Sequence, residues 1–243
     1  MNLLVLGANS DVAHAVSKKF AKEEKVNLYL ASRNMEVLEK KAQDLQTRFG
    51  VNAKVLFFDA EDGQSRKDFY ESLDPRPDGV ILAFGYLGDQ EKAQDSFEEA
   101  EKIINTNFTH AVAILEVIAK DFEKRGHGFI VGISSVAGER GRKSNYFYGA
   151  AKGALSIYLS GLRNRLSGRG INVITILPGF IDTKMTEGMD LPGALTASPD
   201  EVAEDIYVAF KKNKSIVYTK WFWKWVMAII KSIPEPIFKR MSL

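Results

Sequence analysis

Tyr148 and Lys152 stand four residues apart, which sets a phenol beside an ammonium on one face of a helix. An unperturbed phenol titrates at about pH 10, so it exchanges a proton near neutrality only with a cation close by. Lys152 is placed to be that cation. The spacing alone proves little, because Tyr207 and Lys211 repeat it. What separates the pairs is company: Ser134 and Ser135 end an apolar run upstream of Tyr148, and Asn107 lies in the long helical stretch before that run. Tyr207 has no such partners, so Tyr148 with Lys152 is the candidate pair for proton exchange.

A second group of residues suits a dinucleotide. Gly7, Ala8, Asn9, Ser10, Asp11, Val12 and Ala13 join an apolar run to a helical pattern, where free N–H groups and the helix dipole favour a pyrophosphate. Asp11 stands where a small residue is usual, and as a helix N-cap it would bind backbone N–H groups instead. An ordinary strand-to-helix turn is the competing reading. Ser32 and Arg33 follow the second run, where an acid would bind the adenosine ribose; its replacement beside an arginine favours NADPH over NADH, although NADH stays possible. Arg33 read alone is an exposed arginine at a helix start. Asp59, followed by Ala60, either accepts a hydrogen bond from an adenine amino group or makes a turn.

The elements that must position these groups follow from alternation. Short runs rich in Val, Ile and Leu take turns with longer helical patterns, which predicts βαβ units around a parallel sheet covered on both faces. Strands are expected near 2–7, 26–31, 53–58, 79–84, 128–134, 171–177 and 215–218, and helices near 11–23, 34–49, 63–73, 98–124, 146–168 and 199–212. The fold class is thus α/β, a doubly wound parallel sheet of about seven strands with its ligand crevice beyond their carboxyl ends. One catalytic domain, 1–218, accounts for this pattern, and 219–243 stands apart as an aromatic and basic segment.

The motifs at 7–13, Asn107, Ser135, Tyr148 with Lys152, and Pro178-Gly179 resemble, in order and spacing, the short-chain dehydrogenase/reductase family. That resemblance implies a Rossmann fold and NAD(P)-dependent hydride transfer. It gives Ser135 the substrate oxygen, Tyr148 the proton, Lys152 the nicotinamide ribose and Asn107 a relay water. It also makes Ala83, Gly85, Pro178, Gly179, Ile181 and Thr183 cofactor contacts. Two positions depart from the family pattern: Asp11 replaces a glycine, and Ala83-Phe84-Gly85 replaces an Asn-Ala-Gly triplet. Residues 134–148, 83–89 and 233–240 further resemble one subgroup, the decaprenylphosphoryl keto-pentose reductases that act as a subunit of a ribose-to-arabinose epimerase. This implies a keto-sugar on a polyprenyl phosphate as substrate, a partner oxidase that makes the ketone, and a role in cell-wall biosynthesis.

Composition narrows the alternatives. The 243 residues, 45% hydrophobic, can bury one sizeable core; the absence of cysteine excludes disulfides and thiolate metal sites, and His14, His110 and His127 are too scattered for a ligand cluster. The apolar stretch after Asn2 is too short for a signal peptide, so the expected location is cytoplasmic. Residues 211–243 hold eight Lys or Arg against one acid, a local +7, which leaves −5 on the preceding 210 residues. That tail is chiefly aromatic and aliphatic, which argues against nucleic acid as a partner. Its apolar cluster, Trp221 to Ile230, is about half a membrane span, and rings beside lysines favour the headgroup interface on the inner face of the membrane. An oligomer contact, as in a homo-oligomer, or a pocket wall would use the same surface.

Further expectations concern two loops. Arg140 and Arg142, beside Glu139 and Lys143, are suited to a substrate phosphate or else decorate a solvated loop. Residues 184–198, with Gly188 and Gly193 and little periodicity, are expected to form a mobile lid. Competing functions are reduction of another hydrophobic ketone, acyl or steroid-like, and a cofactor-sensing module without catalysis.

Overall fold

The computed structural model describes residues 1–62 and 65–241. Seven strands, β1 (Asn2–Leu6), β2 (Asn27–Ser32), β3 (Ala53–Phe57), β4 (Gly79–Leu82), β5 (Gly128–Ile133), β6 (Ile171–Pro178) and β9 (Ile216–Thr219), form one sheet in the order β3-β2-β1-β4-β5-β6-β9. Every neighbouring pair is parallel. The order reverses between β1 and β4, and doubly wound sheets open their ligand crevice at that switch. Two further strands, β7 (Phe180–Ile181) and β8 (Thr196–Ala197), pair separately beyond the end of β6.

Both faces are covered, and β1 shows why its sequence is continuously apolar. Leu3 and Val5 point into a core shared with α1 (Asp11–Glu23), α2 (Met35–Phe49) and α8 (Pro199–Lys211), whereas Leu4 and Leu6 point into the opposite core. The second core is closed by α3 (Ser65–Glu71), α6 (His110–Arg125) and α7 (Tyr146–Leu166). Alternate side chains of a strand face opposite ways, so a strand buried on both faces has no polar positions to spare. The fold class and about seven strands therefore stand as expected. The start of the helix expected over 63–73 lies outside the described residues.

The helix expected over 98–124 runs unbroken over 97–125, but it carries a π-helical turn, Asn105–Thr109, between α5 (Phe97–Ile104) and α6. Asn107 lies in that turn, and its Nδ2 donates to the carbonyls of Ile103 (2.8 Å) and Tyr86 (2.6 Å), taking an acceptor the α-helical ladder would use. A short helix, α4 (Gln90–Asp95), was not expected; Asp89 nucleates it by accepting from the N–H groups of Glu91 and Lys92.

The C-terminal segment also has structure of its own. After β9 come α9 (Trp223–Ser232) and a short α10 (Glu235–Phe238). Trp223 and Met227 are buried against Val136 and Leu177, while Trp221, Trp225 and Ile229 are exposed. Arg140 fastens this segment: its guanidinium donates to the carbonyls of Ile230, Lys231 and Ile233, pairs with Glu235 and lies 3.8 Å from the ring centre of Phe238. No helix among the described residues is long and apolar enough to cross a membrane.

Candidate active site

The end of β5 and the first turns of α7 bring the proposed chemistry together. Glycines let them approach: a Cβ on Gly138 would fall 2.5 Å from Gly153 N, and one on Gly153 would fall 2.7 Å from Gly138 O. Ser134, which sequence reasoning passed over in favour of Ser135, locks the contact by donating to Lys152 O (2.8 Å) and sharing a hydrogen bond with Ser156. Its only signal in the sequence is a doubled serine at a strand end. Ser135, 7% exposed, accepts from Ala137 N at 3.1 Å and so is held at the mouth of the crevice.

Lys152 is 4% exposed and donates to Ile133 O at 3.0 Å, with its nitrogen 5.7 Å from the ring centre of Tyr148. Burial pushes its ammonium down to about 8. Tyr148 is half-buried by exposed area, yet desolvation of its hydroxyl pushes it up to about 12, and the Ser135 hydroxyl pulls the other way. The expectation that Lys152 draws the phenol toward neutrality is thus not met in this arrangement. The nitrogen is turned to a backbone carbonyl, and removal from water, which disfavours the charged form of either group, dominates. Tyr148 stands as a neutral proton donor at pH 7.

The decoy pair behaves differently. Tyr207 and Lys211 both bind Glu24, at 2.8 and 2.9 Å, and form a surface tie between α8 and the end of α1. The lysine is stabilised as a cation by Glu24 rather than pushed toward neutrality.

Asn107 is 1% exposed and lies behind the crevice, bound to both backbone groups of Tyr86. A Cβ on Gly85 would fall 2.9 Å from Asn107 Oδ1 and 3.4 Å from Lys152 Nζ, so the bare backbone of Gly85 brings the carboxamide and the amine close together. Glu99 was not anticipated. Though 5% exposed, it accepts from Tyr86 Oη (2.8 Å) and Asp89 N (3.1 Å), and the tyrosine hydroxyl holds its carboxyl below the usual range. It braces the Tyr86 segment to which Asn107 is bound. A glutamate within an amphipathic helix gives no sign of this.

The dinucleotide residues divide in two. Asn9, Ser10, Asp11, Val12, Ala83, Gly85, Pro178, Gly179, Ile181 and Thr183 line one cavity of ≈ 330 Å³ with Ser135, Tyr148 and Lys152. Gly7 lies beneath it with φ +81°, and a Cβ there would strike the backbone of Phe84 at 2.5 Å. Ser32 and Arg33 lie outside that cavity, at the end of β2, and Asp59 and Ala60 follow β3. Arg33 is 64% exposed and pairs with Glu61, and Asp59 accepts from Glu61 N as a turn residue does. Phe84, in the divergent triplet, packs against Phe58, so an aromatic cluster supports this stretch.

Asp11 is not the N-cap. Ser10 caps α1 by accepting from Ala13 N at 3.0 Å, while Asp11 accepts from Lys184 N at 3.1 Å, tying the phosphate loop to the segment after β7. Lys41, unanticipated, steadies the same loop by donating to Asn9 O (2.7 Å) and Ser10 O (3.3 Å). It sits three residues after Leu38 on the inward face of α2, and burial lowers its pKa. Residues 184–198 fold as two 3-10 turns and β8, with Met185 and Met189 lining the cavity. Of the two loop arginines, Arg142 lines the cavity and Arg140 does not.

The sequence profile of the short chain dehydrogenases matches residues 1–191. An uncharacterised oxidoreductase of Mycobacterium tuberculosis is 31% identical over 242 residues, 98% of this chain and 96% of its own length. An NADP-dependent 3-hydroxy acid dehydrogenase of Schizosaccharomyces pombe is 25% identical over 230 residues, 88% of each chain. A short-chain dehydrogenase from Sphingobium yanoikuyae, solved in complex with NADPH, superposes with TM-score 0.82 over 96% of both chains at 23% identity. The chain belongs to the short-chain dehydrogenase family and is an NAD(P)-dependent oxidoreductase.

Proposed function

We propose that the chain is an NADPH-dependent ketoreductase whose substrate carries a large apolar body. One observation carries this reading: Ser135, Tyr148 and Lys152 share one cavity with the phosphate loop and with the apolar side chains of Trp223, Phe180, Met185 and Met189. The loop from Gly7 to Val12 fits the pyrophosphate of a dinucleotide, because it runs into the N-terminus of α1, where free N–H groups and the helix dipole favour an anion, and Pro178, Gly179, Ile181 and Thr183 line the same cavity. The cofactor supplies the hydride. The chain supplies the rest: Tyr148 protonates the carbonyl oxygen, Ser135 holds that oxygen, Lys152 sets a positive charge beneath it and Asn107 anchors a relay water. NADPH is preferred because Arg33 stands where an acid would repel a ribose phosphate, and because the fission-yeast relative is NADP-dependent by name and the Sphingobium structure carries NADPH.

The particular ketone we assign is a keto-sugar on a polyprenyl phosphate, delivered by a partner oxidase at the inner face of the membrane. Support comes from the tail: Trp221, Trp225 and Ile229 are 74%, 60% and 65% exposed, four residues apart on the outer side of the segment, with Lys224 exposed between them in the chain and its nitrogen 5.8 Å from the ring centre of Trp225. Such a face suits anionic headgroups. Reduction of another bulky ketone uses the same machinery and is the second reading, favoured by the apolar cavity walls.

Cofactor oxidation with a panel of ketones separates them. A polyprenyl-phosphoryl keto-pentose is expected to be reduced at a higher kcat/KM than acyl or steroid ketones, and with NADPH before NADH. Its rejection alongside turnover of the others would transfer the assignment to the second reading.

A further inference from the structure

Arg142 is a cation on the cavity wall without an anion. It lines the same cavity as Tyr148 and Ser135, the acceptor at its Nη2 is the sulfur of Met227 at 3.3 Å, and its Nε is buried with no hydrogen-bond partner. A thioether is a weak acceptor, so the guanidinium is left largely unsatisfied. Among the described residues it forms no ion pair. Other partly buried arginines are answered: Arg140 has three carbonyls and Glu235, Arg163 has Val173 O, Thr175 Oγ1 and Ser215 O, Arg66 has Ala60 O, and Arg125 has Asp121 and Pro77 O. Burial is the cause that draws the Arg142 pKa down. A half-buried guanidinium with an orphaned N–H costs stability, and such groups are kept where a ligand completes them.

We propose that Arg142 is the anion-binding subsite of the substrate pocket, selecting ketones that carry a carboxylate or phosphate beside an apolar body. The apolar body meets Met185, Met189 and Trp223, which line the same cavity. Asn145 also lines this cavity, and its side-chain oxygen, buried without a partner, is an acceptor open to a hydroxyl or N–H of the ligand rather than to its anion. Met227 couples the subsite to the C-terminal segment, because the residue that touches Arg142 is the buried anchor of α9. This inference rests on the ketoreductase reading but makes a separate claim, that the pocket prefers charge.

Three matched probes test it: a long-chain γ-keto carboxylate, its methyl ester, and the same ketone bearing a phosphate monoester. With NADPH present, kcat/KM for each is compared in the parent, Arg142→Met and Arg142→Lys, and binding to the cofactor-loaded protein is measured by calorimetry. The parent is expected to prefer an anionic probe to the ester. Arg142→Met should reduce that preference by roughly ten- to a hundred-fold, the equivalent of one charged hydrogen-bonded contact, while Arg142→Lys recovers part of it. Carboxylate preference points to a free acid as source, phosphate preference to a phosphorylated or lipid-phosphate ketone. Equal use of ester and acid by the parent, or a preference unchanged in Arg142→Met, overturns the proposal and leaves the ketoreductase reading standing. If no probe is turned over, calorimetry still decides the subsite, and the ketoreductase reading alone is in question.

Discussion

Tyr148→Phe is expected to keep the fold and the affinity for NADPH while losing ketone reduction by about 10²- to 10⁴-fold, the range that a positioned proton donor contributes. The ring remains, so the packing of Tyr148 on the side of Tyr86 and Ala100 is retained. Only the hydroxyl goes, and with it the neutral donor that burial holds at about 12. The loss should fall on kcat, because the carbonyl oxygen takes its proton as the hydride arrives and the phenol does little for ground-state binding. Tyr207→Phe, the same change in the decoy pair, removes a tie to Glu24 on the far side of the molecule and should leave kcat unaltered. Cofactor oxidation under saturating ketone measures the difference.

The second large effect concerns the tail. Trp223→Ala should cost about 3–5 kcal/mol, the usual range for truncating a buried aromatic. Trp223 is 3% exposed, its Nε1 donates to Leu195 O at 3.3 Å, and it meets Phe180 edge-on at 6.0 Å between ring centres. It covers Gly179 so closely that a Cβ there would fall 2.1 Å from the indole. Truncation therefore opens the wall of the cavity at the segment after β6, as well as loosening α9. Denaturant unfolding reads the stability, and hydrogen exchange should quicken first over residues 220–241. Trp225→Ala, 60% exposed on the outer side, should stay within about 0.5 kcal/mol. Equal effects from both tryptophans would mean that the two faces of α9 are wrongly assigned.

How much of this could be read from the residues alone differs from element to element. β1 was plain, since Leu3 to Leu6 is apolar without alternation, and a strand buried on both faces has no other pattern. The grouping of Ser135 with Tyr148 and Lys152 was legible because strand end and helix face are periodic features. The π turn at Asn107 was not: the helical pattern runs through it, and the side-chain hydrogen bonds to Ile103 and Tyr86 that accompany the turn are encoded by no periodicity.

The loops show the same limit. Arg140 and Arg142 are alike in type and two residues apart, yet one fastens the C-terminal segment and the other lines the cavity. Which way each points depends on where α9 lies, and that depends on which tryptophan is buried. The tail has aromatic residues on both sides, so composition could not choose. Asp11 and Ser10 both suit an N-cap; the structure gives the cap to Ser10 because Asp11 is drawn to Lys184 N, a contact 173 residues away in sequence.

The pH dependence of kcat/KM bears most directly on the buried amine beside the phenol. Lys152 keeps its charge below about 8 and gives it up above, because burial lowers its pKa from the ordinary lysine value. Reduction should therefore show an alkaline limb centred near 8, and Lys152→Arg, whose side chain stays charged, should shift that limb upward in whatever activity it retains. An activity flat from neutrality into the range of an ordinary lysine, or a limb unmoved by Lys152→Arg, would contradict the account.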